Sequence, residues 1–237
     1  MRVYQGTLTL QEHLYFASRE IGILFASEPV LGNYALTYAL GLCHSPYYWN
    51  GGPRYKQDLL PLNEAGVYVT PGAFEQFYFA FQQFNAQTDT YYSRFDQNAI
   101  ATVPRQKARP TNFPQTGKLR MLGIGSVARF YVLSAQDTTL ALPTYIRLGK
   151  FLSKARIQWT ELQATLTEVE DEQITASLNA ADIPPHLDLR ILSLMSVHPA
   201  PIIGAALLSG AGWRLSGAGI AATLLPADLR YGVELLP

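Results

Sequence analysis

The chain has 237 residues, 48% hydrophobic and 15% charged, which is enough for a real core and excludes a disordered polymer. A single cysteine, Cys43, excludes an internal disulfide and a cysteine-rich zinc site. Eighteen basic and eighteen acidic residues cancel, which excludes whole-molecule attraction to nucleic acid, yet the charge is unevenly spread. Residues 101–160 hold ten basic residues and one acid, Asp137, a net +9, so the remainder carries −9. A +9 stretch in a neutral protein is an electrostatic footprint for a polyanion.

In chain order, RVYQGTLTL sets Tyr4, Gly6, Leu8 and Leu10 against Val3, Gln5, Thr7 and Thr9, a period of two that predicts a strand. Over 27–42, Ser27 as N-cap, Pro29 in the first turn and Gly41 at the end predict a helix. Val30, Leu31, Tyr34, Ala35, Tyr38 and Leu42 would share its face. PYYWNGGPRY, 46–55, is an aromatic loop punctuated by Gly-Gly-Pro. GVYVT at 66–70 and QFYFAFQQF at 76–84 predict strands, the second with Phe77, Phe79 and Phe81 on one side. Residues 101–118 combine three prolines with four basic residues and no acid, and predict an extended loop or long hairpin arm. RFYVLS, 129–134, predicts a strand.

LPTYIRLGKFLSKARIQW, 142–159, is the densest basic stretch. Leu148, Phe151, Leu152 and Ala155 stand at i, i+3, i+4 and i+7, so a helix is predicted, with Arg147, Lys150 and Lys154 as a neighbouring basic ridge. Gly149 is a poor helix residue that would allow close backbone approach. Alternation then predicts a strand through RIQWTELQATLTEV, an acidic turn at 169–173, a strand at LRILSLMSV, and short glycine-rich strands to the end. The tract 201–226 is apolar but broken by Arg214 and by glycines, so no membrane span is expected. The start, MRVYQGTLTL, lacks a signal peptide's apolar core, and with the lone cysteine this fits the cytoplasm. The expectation is an α+β fold with a largely antiparallel sheet, as one elaborated domain over 1–237.

Catalytic signatures are weak. His13, His44, His186 and His198 form no HExxH, and His44 beside Cys43 is a poor dyad, because adjacent side chains point apart. GIGSVA, 123–128, matches a dinucleotide fingerprint by letter but is followed by a strand where a helix is required. GAGWRLSGAG, 210–219, lacks the Gly-Lys-Ser/Thr of a phosphate loop. No cofactor or metal is expected. The basic segment and its aromatics remain: cations neutralise phosphates, and ring faces stack on unpaired bases. Phe113, Tyr131, Tyr145 and Trp159 lie in or beside it, while Phe151 is assigned to the core stripe. The bland alternative is a solvated face beside acidic partners.

Three stretches, ASREIGILFASEPVLGNYALTYALGL (17–42), YYWNGGPRYKQDLLPLNEAGVYVTPG (47–72) and YIRLGKFLSKARI (145–157), together resemble the Cas-five-type, or Csc-one, family of type I-D CRISPR interference complexes. The resemblance implies an RNA-recognition-motif-like (ferredoxin-like) core with an inserted basic arm and glycine-rich C-terminal strands. It implies a repeat-associated (RAMP-like) subunit of the Cascade ribonucleoprotein in antiviral defense. That subunit holds the 5′ handle of the crRNA and meets the backbone and large subunits near the protospacer-adjacent motif of target DNA. On that reading Arg147, Lys150, Lys154 and Arg156, with Tyr145, hold handle phosphates. Arg105, Lys107, Arg109, Lys118 and Arg120 lie on the arm, taken as 101–120, and Tyr48, Trp49, Arg54 and Lys56 are candidates for DNA or partner contact. No catalysis is expected, because no histidine falls within the basic segment. The alternatives are a metal-independent endoribonuclease that processes the crRNA precursor, and a protein-docking scaffold without RNA contact.

Overall fold

A computed structural model describes residues 1–44, 53–86, 91–94, 99–102, 115–135, 140–217 and 220–233. Along the chain these form β1 (Arg2–Leu10), β2 (Arg19–Ile21), β3 (Leu24–Ala26), β4 (Val30–Leu31), α1 (Asn33–Ala39) and α2 (Tyr55–Glu64). Next come β5 (Val67–Val69), β6 (Gly72–Gln76), β7 (Phe79–Ala86), β8 (Tyr91–Arg94), β9 (Ala99–Thr102), β10 (Gln115–Leu122) and β11 (Val127–Ser134). The chain continues through β12 (Tyr145–Leu148), β13 (Ser153–Ile174), β14 (Leu178–Asn179), a 3₁₀ turn (Ala180–Asp182), β15 (Asp188–Met195), β16 (Ile202–Gly217) and β17 (Ile220–Pro226). The protein is mostly antiparallel sheet with few helices.

The main sheet runs β14-β16-β13-β1-β11-β6-β4, with β12 beside β13, β5 beside β11, and β15 and β17 beside β16. A second sheet runs β2-β3-β10-β7, and β8 pairs with β9. β1 sits between β11 and β13, pairing Thr7 with Arg129 and with Gln158. Its period of two is realised: Tyr4, Leu8 and Leu10 join a core with Phe130, Ile146, Leu148 and Ile157, closed by Leu36 and Leu40 at α1. The opposite face behaves differently along its length. At one end Val3, Tyr131, Leu133 and Leu162 enter a second core built by β13, β16, β17, α2 and Tyr231. Towards Thr7 and Thr9 that cover ends and the outer face is partly open.

Several expectations are corrected. The helix predicted over 27–42 is only α1, because Val30 and Leu31 pair with Ala73 and Gly72 as a strand. Ser27 is no N-cap: buried, it accepts from the Phe16 amide and donates to the Phe16 carbonyl, both at 3.0 Å. Gly41 does adopt the left-handed φ of +72° just past the helix. α2 escaped the sequence reading: it has no side-chain N-cap and carries Pro61, which reads as a helix break. The strand predicted over 76–84 starts only at Phe79, since β6 ends at Gln76. The acidic turn expected at 169–173 lies inside β13, at a bulge between Val169 and Glu172 where Asp171 takes φ +49°. Its charge is matched locally, Arg214 gripping both Glu172 oxygens at 2.8 Å and Arg190 reaching Asp171 at 3.3 Å. The 123–126 turn is followed by strand β11, as expected, and preceded by strand β10, where a proline-rich loop or arm was expected. Among the described residues no helix is long and apolar enough to cross a membrane.

Candidate nucleic-acid interface

The helix predicted from Pro143 through Ala155 is instead a hairpin, β12–β13, and the strand predicted from Arg156 already begins at Ser153. Burial alternates through the hairpin: Ile146, Leu148, Ser153, Ala155 and Ile157 point inward, while Tyr145, Arg147 and Arg156 are exposed and Lys154 is half-buried. Leu148 and Ala155 kept their core roles, but Phe151 and Leu152 sit on the turn and are 53% and 63% exposed. Spacing of i, i+3, i+4 and i+7 was met by two strand residues and two turn residues. Gly149 has φ +72°, and a Cβ there would lie 2.6 Å from the Tyr15 carbonyl oxygen, so the predicted close backbone approach is real.

That approach belongs to a strap, residues 11–15, laid across the hairpin. The Gln11 amide donates to the Lys154 carbonyl at 2.9 Å, the Lys150 amide to the Tyr15 carbonyl at 2.9 Å, and Ser153 Oγ to the His13 carbonyl at 2.6 Å. Phe151 stacks on Tyr15 at 5.2 Å. The hairpin is therefore a rigid platform, and its cations are positioned by backbone.

In register, Arg147 faces Lys154 and Tyr145 faces Arg156. Two like charges directly opposite are unfavourable in isolation. Glu12 offsets them: its carboxylate accepts from the Lys154 amide at 2.7 Å and lies 3.9 Å from Arg147. Arg147 also donates to the Leu152 carbonyl at 2.8 Å, and Lys154 Nζ sits 4.6 Å above the Tyr145 ring, which is half exposed. No described acid lies within ion-pair reach of Lys150 or Arg156. Four cations thus share one acid on an exposed face. Beneath them Arg147 and Lys150 rim a groove against Phe16, Ala35, Tyr38 and Ala39, with a cavity of about 370 Å³. Lys150 also rims a neighbouring cavity of about 260 Å³ with Tyr55 and His198.

The other predicted residues are dispersed. Lys118 and Arg120 lie on strand β10 of the second sheet and not on a loop. Arg120 is held by Glu28 and the Ser27 carbonyl, each at 3.4 Å. Arg54 precedes α2 and Lys56 is exposed in its first turn, on either side of Tyr55. Tyr48, Trp49, Arg105, Lys107, Arg109 and Phe113 lie outside the described residues. Tyr131 is buried, and Trp159 packs edge-on to Phe130 while its indole N–H donates to the Pro143 carbonyl at 2.9 Å, so neither is available for stacking.

Two features were missed in the sequence. One is the strap, which brings His13 and Glu12 beside the hairpin from more than a hundred residues away; no local pattern announces it. The other is a buried polar network on Asp182, 1% exposed. Its carboxylate accepts from Asn33 Nδ2 at 2.6 Å, Tyr68 Oη at 2.8 Å, Tyr34 Oη at 3.0 Å and the Gly232 amide at 2.8 Å. Burial pushes its carboxyl up to about 6, against the pull of those donors. Burial, with Asp182 and its neighbours, raises Tyr34 and Tyr68 far above the ordinary phenol. Burial and then Asp58 push the Cys43 thiol up to about 12, so it holds no nucleophilic thiolate. Among the described residues no three histidine, cysteine, aspartate or glutamate side chains gather as a metal site.

The fold and its charges define a class: a mostly antiparallel β-protein with few helices, presenting cations on exposed strands. The chain belongs to the family described as type I-D CRISPR-associated protein Cas5/Csc1, which matches residues 1–234. Among solved structures it is similar to a CRISPR protein from Archaeoglobus fulgidus, at 11% identity and a TM-score of 0.41, over 96% of this chain and all of that one. No curated protein matches it.

Proposed function

We propose that this protein is a non-catalytic RNA-binding subunit of a type I-D CRISPR effector complex. It holds the 5′ handle of the crRNA and joins the large subunit to the backbone subunits for recognition of target DNA. Family membership supports the complex. The observation that carries RNA contact is the β12–β13 hairpin, where Arg147, Lys150, Lys154 and Arg156 share a single acid on a face fixed by the strap. Such a face fits the phosphates of a backbone, while sequence is left to guide pairing. The strand order also supports an RNA-recognition-motif-like core. β13-β1-β11-β5 are antiparallel neighbours, and α1 and α2 lie in the crossover from β1 to β5. The inserted basic arm is taken as 101–120, and the described residues at its end lie on β10.

Co-purification with neighbouring gene products, followed by sequencing of bound RNA, tests this. Arg147→Glu/Lys150→Glu/Lys154→Glu should enter the complex and lose short guides. Guides retained at the wild-type level would remove the hairpin from the handle. Loss of incorporation with no RNA in the wild type would favour the docking scaffold. One observation favours the ribonuclease: His13 is exposed on the strap, next in sequence to Glu12, and its carbonyl accepts from Ser153 Oγ on the hairpin. Incubation with repeat RNA in EDTA decides it; specific cleavage abolished by His13→Ala would replace the non-catalytic reading.

A further inference from the structure

The charge opposite to the hairpin's gathers at the other end of β13. Glu168 and Glu170 are exposed there with no ion-pair partner among the described residues, and so is Asp188 at the start of β15. Pairing with β16 brings the two strands together: Glu168 stands opposite Ala211, and Asp188 opposite Ser209, whose Oγ accepts from the Asp171 amide at 3.0 Å. The local cations, Arg190 and Arg214, are already taken by Asp171 and Glu172. From Asp188 the strand β15 runs into Ile191, Leu192 and Leu194, which are 47%, 56% and 55% exposed. In register, Ile191 stands opposite Ala206 and Leu194 opposite Ile203, and both of those are buried. The core therefore stops at β16, and the aliphatic residues of β15 overhang it. β15 pairs with β16 alone, so its other edge is free among the described residues.

Soluble proteins blunt such an edge with lysine, with proline or with a covering segment. β15 contains neither residue, and its one arginine is held by Asp171 at 3.3 Å. Register shifts on both sides of Ser193 break the regular ladder, so addition of a further strand is disfavoured and contact falls to side chains. An aliphatic patch beside unbalanced acids suits a protein, since nucleic-acid phosphates and anionic lipid heads are repelled there. We propose that the β15 edge is a docking surface for a segment of another protein that carries aliphatic side chains followed by lysine or arginine. The aliphatic groups cover Ile191, Leu192 and Leu194, and the cations meet Asp188, Glu168 and Glu170. Complementary charge fixes the sign and register of the partner. The proposal rests on the reading of this chain as a subunit of a complex, and it puts a protein at the end of β13 away from the RNA.

The test compares the free full chain with the complex co-purified with neighbouring gene products. Hydroxyl-radical labelling of Ile191, Leu192 and Leu194 should be lost in the complex. Zero-length coupling of carboxylates to amines should join Asp188, Glu168 or Glu170 to a lysine of a protein partner. Glu170→Lys/Asp188→Lys should weaken incorporation by about tenfold or more, most strongly at low salt. Its unfolding midpoint should match wild type, because both acids are exposed and unpaired. Leu192→Ser/Leu194→Ser should weaken incorporation at every salt concentration. The proposal fails if the edge labels equally in the complex and in the free chain, or if both variants enter the complex as wild type does. It fails also if labelling is lost in the free chain as its concentration rises, which would seat a second copy there, or on addition of RNA alone. A complex that keeps its guides while this edge stays labelled overturns the docking surface and spares the RNA reading. A chain that enters no complex overturns both.

Discussion

The hairpin and the Asp182 network treat charge in opposite ways. Around Asp182 a carboxyl is removed from water and given four donors, drawn from α1, β5 and the C-terminal segment. On the hairpin four cations remain at the surface, and one carboxylate, Glu12, lies near Arg147 and accepts from the Lys154 backbone amide. A buried polar group that binds nothing external must be satisfied from within. A surface cluster of one sign is unfavourable for the fold and useful only to something of the other sign. The first region therefore reads as structure and the second as a place for a partner. Substitutions should separate them: stability should move in the network and binding on the hairpin.

The largest effect is expected from Asp182→Ala. It removes the shared acceptor of two tyrosine hydroxyls, Asn33 Nδ2 and the Gly232 N–H in a buried site, where only a 3.4 Å contact of Asn33 Nδ2 with Tyr68 Oη remains between two of them. At about 1–3 kcal/mol per unsatisfied group, partly relieved by relaxation, a loss of about 3 kcal/mol or more should appear in the urea midpoint. Charge-changing variants of Lys150 or Arg156 should stay within about 0.5 kcal/mol of wild type. The reverse order of effects would erase the distinction.

The same carboxyl makes the comparison pH-dependent. Its native value, pushed up to about 6, lies above the ordinary aspartate, so the folded state binds the proton more tightly than the unfolded chain. The stability this proton linkage contributes is complete below about pH 4 and is lost as pH rises through about 6. Denaturant unfolding between pH 4 and 7 should show wild type falling more steeply than Asp182→Asn, which cannot titrate. Parallel curves would place the carboxyl's native value near the unfolded one.

Much of the sheet was legible because alternation is a local signal. The alternation of Leu8 and Leu10 against Thr7 and Thr9 was read correctly for β1, and strands were found where they were read at 66–70, 129–134 and 189–197. The hairpin failed for a specific reason. In a turn, Phe151 and Leu152 need not obey either period, and they completed a helical pattern that Leu148 and Ala155 began. The four cations were found because net charge by segment does not depend on secondary structure. What could not be read were relations between distant segments: Glu12 and His13 against residues 153–154, or Asn33 against Asp182. A lone aspartate between alanine and isoleucine at 181–183 looks the same in sequence whether it is solvated or at the centre of a network.

On the hairpin itself, effects should be smaller and confined to binding. Lys150→Ala removes one cation that no described acid pairs, from an exposed turn. It should lower RNA affinity evenly across sequences and reduce the slope of log affinity against log salt by about 1. An unchanged slope with full affinity would mean that Lys150 faces solvent in the bound state.

The smallest effect is the most discriminating. Glu12→Gln keeps an acceptor for the Lys154 amide but removes the negative charge 3.9 Å from Arg147. Two exposed unit charges at that distance interact by about 1 kcal/mol in water, so RNA affinity should rise by no more than about fivefold at low salt, and less at high salt. Stability should barely move, because an exposed ion pair contributes about 0–1 kcal/mol. If Glu12 instead serves to hold the hairpin together, the same substitution would leave affinity unchanged and lower the unfolding midpoint. Measuring salt-dependent binding and urea unfolding on the same preparation distinguishes an acid that tempers a phosphate site from one that merely fastens the strap.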